Sequence, residues 1–425
     1  MNAFYDDLET RDPAAREAAL MAALPAQVAA AKAVPALAAA LADVEPAQVA
    51  SRAALARLPV TRKHDLLERQ QAMRGTAAAD WDPFGGYSAI GWRALARARA
   101  GAQRVFQSPG PIYEPEGRAR DYWRMARALY AAGLRAGDLV HVSFGYHLTP
   151  GAWIVDSGAQ ALGCTVFPGG VGNTELQLQA MAELRADAYA GTPSFLRILL
   201  EKAAEGGLAL PALKKALVSG EACPPGLRDW FAARGVQVCQ AYATADVGTI
   251  AYETSAHEGL VVDESVIVEI VRPGTGDVLP DGEVGEVVVT VLAPDYPLLR
   301  FATGDLSAVL PGRCPSGRTN LRIKGWMGRA DQTAKVRGMF VHPSQIAEVL
   351  RRHPQVARAR LVVEGEMAND RMTLRAEAAG AGSGLADAVA ASVRELTKLR
   401  CDVALVAPGT LPNDGKVIED ARKYD

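Results

Sequence analysis

A chain of 425 residues exceeds what one hydrophobic core usually holds, because single cores stop growing near roughly 250–300 residues, so two or three domains are expected. With 49% hydrophobic and 22% charged residues it has a globular composition, and a formal net charge of −2 lacks the basic footprint of a nucleic-acid binder. Five scattered cysteines (Cys164, Cys223, Cys239, Cys314 and Cys401) form no C-x-x-C pair, which argues against a disulfide framework and fits a reducing cytoplasm. The opening residues carry acids ahead of the first apolar run, unlike a signal peptide, and no apolar stretch reaches the roughly 18 residues of a spanning helix, so no membrane partner is expected.

Residues 13–75 are alanine-rich and predict helices, with Pro25, Pro35, Pro46 and Pro59 near their starts or stops. From residue 120 the pattern alternates. DYWRMARALYAAGL predicts a helix ending at Gly133, LVHVSFGY (139–146) a buried strand, 151–162 a helix, CTVFP a strand, and TELQLQAMAELR a helix with Thr174 as its N-cap. AYAGTP, ALVSGEA and VQVCQAYA predict further strands, and SFLRILLEKAAEGG a helix closed by glycines. Strands alternating with helices imply an α/β fold with mainly parallel sheets. Residues 260–310 are β-rich with glycine turns and predict an antiparallel barrel or meander. Beyond a polar stretch at GRADQTAKVRG, two helices and three strands predict a small α+β unit. The domains expected are a large one over 1–331, with a helical entry segment at about 1–100 and a β-rich subdomain at about 260–325, and a small one over 332–425.

Three polar motifs carry chemistry. In FATGDLSAV (301–309) an aspartate follows a glycine turn, where a carboxylate can be presented to vicinal hydroxyls such as those of a ribose; a turn capping its own backbone is the plainer alternative. In GRADQTAKVRG (328–338), Arg329 has the donor fork to hold a ribose or phosphate, against the alternative of a solvated linker. In LPNDGK (411–416), Lys416 sits on a Pro/Gly loop from which an ammonium can meet charge developing at a phosphoryl centre, although most such lysines serve solubility.

In this order the three motifs resemble the adenylate-forming superfamily, and within it the phenylacetate–CoA ligase branch. The resemblance extends to ALARLPVTRKHDLLE (54–68), AGDLVHVSFGYHLTPGAW (136–153), ALGCTVFPGGVGNTELQLQ (161–179), VSGEACPP (218–225) and VRGMFVHPSQIAEVL (336–350), covering nearly the whole chain. It implies that Gly220, Glu221, Ala241 and Tyr242 line an adenine, with Thr244 nearby. Asp246 stands for a magnesium-contacting glutamate, Asp305 and Arg329 hold the ribose, Asp331 is the hinge of a mobile C-terminal domain, and Lys416 is the adenylation lysine. Phe144, Tyr146 and His147 border the acyl pocket, with sheet-edge packing as the alternative for these aromatics, and Lys335, Arg337 and Gly338 border the coenzyme A path. The implied cofactors are ATP/AMP, Mg²⁺ and coenzyme A, the implied substrate is an aromatic or small hydrophobic carboxylic acid, and a homodimer is expected.

The sequence also departs from that pattern. Where the family's phosphate loop reads roughly S-S-G-T-T-G-K-P, this chain has Ser108-Pro109-Gly110-Pro111-Ile112-Tyr113-Glu114-Pro115. Two prolines remove N–H donors, Tyr113 takes a glycine place, and Glu114 replaces the lysine with a charge of phosphate's own sign. Ala245 lacks the hydroxyl expected beside the α-phosphate, and Asp246 is one methylene shorter than glutamate. Cys314 and His257 are too few for a structural zinc, so none is expected. Two readings follow: an AMP-forming carboxylate–CoA ligase, or a relative that binds AMP or an acyl-adenylate with ATP activation lost or weakened.

Overall fold

The computed structural model describes residues 3–74, 81–91, 101–108, 110–330, 334–336, 339–365, 371–379, 384–412 and 416–421. It divides into two compact units, one of residues 1–303 and 308–325 and one of residues 304–307 and 326–425.

The first unit opens on the helix Pro13–Ala33, capped by Asp12, whose carboxylate accepts the N–H groups of Ala14 and Ala15. Pro25 lies inside this helix rather than at an end. Leu20, Met21 and Leu24 before it and Val28 and Ala31 after it are all buried in one core, and that continuous apolar face holds the helix through the lost hydrogen bond.

A nine-stranded sheet organises this unit. Five neighbouring strands run parallel in the spatial order Gln237–Thr244, Lys215–Val218, Ala188–Gly191, Leu139–Val142 and Thr165–Pro168, as the β/α alternation predicts. Helices Gly151–Leu162, Thr174–Glu183, Pro193–Glu205 and Pro225–Ala232 intervene in sequence. Thr174 begins its helix but does not cap it: the cap position is Asn173, in a left-handed conformation and without a side-chain cap bond. Aliphatic and small residues fill the parallel strands (Val140, Val142, Ala188, Ala190, Leu217 and Val218 are all buried), and full burial of such apolar side chains stabilises by roughly 1.5–3 kcal/mol each for the larger ones.

The β-rich region does not form one meander. Leu260–Val262 and Val309–Leu310 join the large sheet, whereas Val266–Val271, Gly285–Val291 and Phe301–Ser307 form a second sheet that ends in a parallel pairing with Thr61–Arg62. The run LVVDESVIVEIV breaks at Asp263–Ser265 because its acids are pinned there. Asp263 takes an ion pair from Arg127 at 2.8 Å, and Glu264 takes pairs from Arg16 at 2.8 Å and Arg11 at 3.0 Å.

The second unit holds a four-stranded sheet in the order Asp402–Val406, Arg371–Ala378, Val356–Glu364, Ile418–Asp420, together with the helices Pro343–Arg352 and Leu385–Thr397. The last strand, Ile418–Asp420, was not expected from sequence; it pairs parallel with Val356–Glu364 and so fixes the chain just after Lys416. Among the described residues no helix is long and apolar enough to cross a membrane.

Candidate active site

Four parallel strands of the first unit end side by side, and the loops that leave them carry the predicted residues. Val142 leads to Phe144, Val218 to Gly220 and Glu221, and Tyr242 and Thr244 close the strand Gln237–Thr244, while Gly191 leads to Thr192, which the sequence did not single out. The carboxyl ends of parallel strands are where open α/β sheets bind ligands. Gly220 has φ +81, and a Cβ placed on it would lie 3.9 Å from Phe144 Cε1 and 3.9 Å from Thr192 Cγ2, so the Gly220 turn and Phe144 border one space. Ser219 Oγ donates to the Ala241 carbonyl at 2.7 Å, and the Glu221 carboxylate accepts the Ser194 N–H at 3.3 Å.

Thr303, the last residue of the first unit before the glycine turn, is tied to the strand that carries Tyr242. Tyr242 donates its hydroxyl to Thr303 Oγ1 at 3.0 Å, and Thr303 in turn donates to the Val287 carbonyl at 3.0 Å. In the second unit, Asp305 Oδ1 accepts from Arg329 Nη1 at 3.1 Å and from Trp326 Nε1 at 3.1 Å, and Asp305 and Arg329 also form a backbone bridge. Gly304 makes this possible. It has φ +75, and a Cβ there would fall 2.5 Å from Arg329 Nη2, so only glycine lets the guanidinium lie across the turn. Gly304→Ala is therefore expected to push Arg329 off Asp305 and to weaken AMP binding by about tenfold or more, the scale of one charge-assisted hydrogen bond; calorimetric titration with AMP measures it.

Lys416 is exposed, at the end of a loop held from three sides. Its carbonyl accepts from Arg360 Nε at 3.2 Å, the Pro412 carbonyl accepts from Arg358 Nη2 at 2.8 Å, and the Leu411 N–H donates to Glu377 at 2.7 Å. That N–H, with those of Gly409 and Thr410, holds the Glu377 carboxyl below its usual range. Asp331, Arg337, Gly338 and the loop residues Asn413, Asp414 and Gly415 lie outside the described residues, as does the Lys335 side chain.

The segment matching the phosphate loop is a β-hairpin, Arg104–Ser108 paired antiparallel with Ile112–Glu116. The helix Lys63–Met73 clasps it: Gln70 donates to the Tyr113 carbonyl at 2.9 Å and accepts the Tyr113 N–H at 2.8 Å, which takes up a backbone donor of the loop. At the start of that helix Asp65 accepts the Arg62 N–H at 2.8 Å, and Lys63 projects to Asp246 Oδ2 at 3.0 Å and Ser108 Oγ at 3.4 Å. Ser108 donates to Glu114 in a short contact. Lys63 is the functional candidate that the sequence reading missed. It lies within a segment recognised for its resemblance, but nothing local shows that it reaches a residue 183 positions away. Thr244 Oγ1 accepts the Val247 N–H at 3.3 Å and so shapes the turn that carries Asp246.

Burial, reinforced by the Asp246 charge and opposed by the Ser108 hydrogen bond and Lys63, pushes the Glu114 carboxyl up to about 8. Because this is above the ordinary carboxyl value, the folded chain binds the Glu114 proton more tightly than the unfolded chain does. The associated stability is complete below about pH 4.5 and is lost as pH rises toward 8. In chelating buffer, Glu114→Gln is expected to melt higher than the wild type at pH 9, with that advantage gone at pH 5; thermal denaturation at the two pH values checks it.

The acyl-segment residues separate. Phe144 faces the Gly220 turn, as above. Tyr146 donates to Asp156 at 3.0 Å and stacks edge-on against Trp153, with ring centres 5.2 Å apart. It lines a cavity of about 430 Å³ with Arg104, Phe106, Gln107, Tyr113 and Trp153. His147 is exposed. Elsewhere, Cys239, Glu253 and His257 bring ligand atoms within 4.8 Å of one another, but Glu253 is already taken by Arg228 at 2.7 Å and by the Gln240 N–H at 3.0 Å, and a guanidinium so placed opposes a cation.

Residues 158–291 match the model of the AMP-binding enzymes, and residues 338–422 that of the AMP-binding enzyme C-terminal domain. The chain is 31% identical over 350 residues to the phenylacetate-coenzyme A ligase of Aromatoleum evansii, covering 79% of this chain and 74% of that protein. The chain belongs to the phenylacetate–CoA ligase family. The Thermus thermophilus phenylacetate-coenzyme A ligase is likewise 31% identical, covering 76% of this chain and 72% of its own length. A crystal structure of 2-hydroxyisobutyryl-CoA ligase in an open conformation, in complex with 2-HIB-AMP and CoA, matches 99% of this chain and 95% of that one at 26% identity, with a TM-score of 0.83. The family's fold, an AMP-binding domain followed by a smaller α+β domain, is the one described above.

Proposed function

We propose that the protein is an AMP-forming carboxylate–CoA ligase that activates an aromatic or small hydrophobic acid with ATP as an acyl-adenylate and passes the acyl group to coenzyme A. The observation that carries this is the Asp305 carboxylate, which the Gly304 turn presents and which Arg329 and Trp326 orient. In this reading Asp305 and Arg329 grip the ribose hydroxyls, while Gly220, Glu221, Ala241 and Tyr242 line the base. Lys416, in a domain over 332–425 hinged at Asp331, faces the α-phosphate during adenylation, where a preorganised cation acts most strongly on developing charge. Rotation of that domain would then bring the Lys335–Gly338 segment to the thiol, a gating step. Phe144 and Tyr146 supply apolar and aromatic surface for the acid. Asp246 has the oxygen chemistry to hold Mg²⁺, which would neutralise phosphate charge. A cytoplasmic location and a homodimer belong to the same reading.

A second reading is favoured by one observation: Glu114 and the Gln70–Tyr113 clasp leave the hairpin with fewer donors for a triphosphate. On that reading the chain binds AMP or an acyl-adenylate without forming it. ATP–pyrophosphate exchange over a panel of aryl and acyl acids separates the two. Exchange with any acid supports the ligase; tight AMP binding with no exchange for any acid supports the second reading.

A further inference from the structure

The cavity beside Tyr146 is walled by side chains that are already anchored. Tyr146 is held by Asp156 and by the edge of Trp153, and Trp153 Nε1 donates to the Tyr146 carbonyl at 3.1 Å. The Arg104 guanidinium lies 4.1 Å from the centre of the Trp153 ring, and its Nη1 donates to both oxygens of the buried Glu116 at 2.9 Å. On the hairpin side, Gln107 and Tyr113 stand directly opposite each other, and Gln107 Nε2 donates to the Tyr113 hydroxyl at 3.0 Å. The Gln107 N–H donates to the Leu148 carbonyl at 2.8 Å, which ties the hairpin to the loop that carries Tyr146. At about 430 Å³, with mainly aromatic and apolar walls, the space has the size and lining of a small-ligand site.

Its polar edge is half used. The Tyr113 oxygen accepts from Gln107, so the Tyr113 hydrogen is left to donate, and among the described residues nothing donates to Gln107 Oε1. A donor and an acceptor side by side match a group that both accepts and donates, as a hydroxyl does. Charge narrows the class further. Arg104, the guanidinium in the wall, is taken by Glu116, and Asp156 stands behind Tyr146 as a second buried carboxylate. Arg74, 6.0 Å from the Tyr113 ring, is exposed and screened by water. One guanidinium against two carboxylates opposes a further carboxylate inside the cavity. Tyr113 stands where the family's loop pattern has a glycine, so this edge belongs to this chain and not to the general pattern.

We propose that Gln107 and Tyr113 set specificity: the cavity takes the far end of an aromatic acid and favours a ring that ends in a phenolic hydroxyl over a bare ring or a second carboxylate. The proposal rests on the ligase reading in assigning the cavity to the acid that is activated. The loop supports that assignment, because Tyr146 follows closely on Phe144, which borders the Gly220 turn. A site built to hydrogen-bond a hydroxyl rejects the analogue that lacks it, since its own polar groups then lose a partner.

The test titrates the full-length chain, free of nucleotide, with phenylacetate, 4-hydroxyphenylacetate and 4-carboxyphenylacetate in turn, by calorimetry. The hydroxylated acid is expected to bind about tenfold tighter than phenylacetate, the scale of one net hydrogen bond, and the dicarboxylate more weakly than both. Tyr113→Phe and Gln107→Leu are each expected to erase the preference for the hydroxyl while leaving the affinity for phenylacetate and the circular dichroism spectrum as in the wild type. Equal affinities for phenylacetate and 4-hydroxyphenylacetate, or no binding of any of the three, overturn the proposal. A folded Tyr113→Phe chain that keeps the preference overturns it too. ATP–pyrophosphate exchange with the same acids reports on the ligase reading separately: selective binding without exchange tells against that reading and leaves Gln107 and Tyr113 as the selecting pair.

Discussion

Lys416→Ala is expected to slow acid-dependent ATP–pyrophosphate exchange by about 10²–10³-fold, the range seen when one preorganised donor to a transition-state charge is removed. AMP binding should change little, because the lysine acts on charge that develops only during adenylyl transfer. Lys416 is exposed, and Arg358 and Arg360 bind the backbone carbonyls of Pro412 and Lys416, so the substitution removes the ammonium without touching those two bonds. Single-turnover exchange with the wild type and the variant, beside AMP titrations of both, gives the two numbers. Equal rates would remove Lys416 from the chemistry. Parallel losses of rate and AMP affinity would assign it to ground-state binding instead.

The second large effect is expected at Asp305. Its carboxylate accepts from Arg329 and Trp326. Asp305→Ala removes charge-assisted hydrogen bonds worth about 1.5–3 kcal/mol each, so AMP affinity should fall by roughly tenfold to a hundredfold. The folding cost should be modest. The Arg329 side chain is 41% exposed, so its ion pair with Asp305 is screened by water and contributes little to folding. Calorimetric titration with AMP, with a melting curve as control, checks both halves. An unchanged affinity would detach the glycine turn from the ribose.

Part of this site was legible in the chain. The turn Thr303-Gly304-Asp305 declares itself because its conformation is local: glycine alone fits a φ of +75 beneath a guanidinium. Arg329 follows from the same logic, since its spacing from the turn brings it back across as a bridge partner. The parallel half of the large sheet was also readable, because each strand is followed by a helix with a buried stripe. What sequence did not show depends on pairing at a distance. Lys63 meets Asp246 and Ser108 only because helix, hairpin and strand turn converge. The break at Asp263–Ser265 was invisible because its causes, Arg11, Arg16 and Arg127, lie far earlier in the chain. Pro25 misled for a related reason: a proline marks a helix end only when no continuous buried face carries the helix past it.

The hairpin at 104–116 shows why family membership alone does not describe this chain. Its departures from a glycine-rich phosphate loop are not scattered losses. Glu114 is met by Ser108, Tyr113 by Gln70, and Asp246 by Lys63, so these three altered residues each have a partner supplied from another element or from across the hairpin. Partnered in this way, the segment is a built structure.

The most direct test of the ligase account is to incubate the purified chain with ATP, Mg²⁺, coenzyme A and a panel of aromatic and small aliphatic acids, and to identify the products by mass spectrometry. The account predicts an acyl-CoA from at least one acid, with AMP and pyrophosphate formed in equal amounts and the product lost in Lys416→Ala. Release of ADP in place of AMP, or AMP bound tightly with no acyl-adenylate or acyl-CoA from any acid, would contradict it.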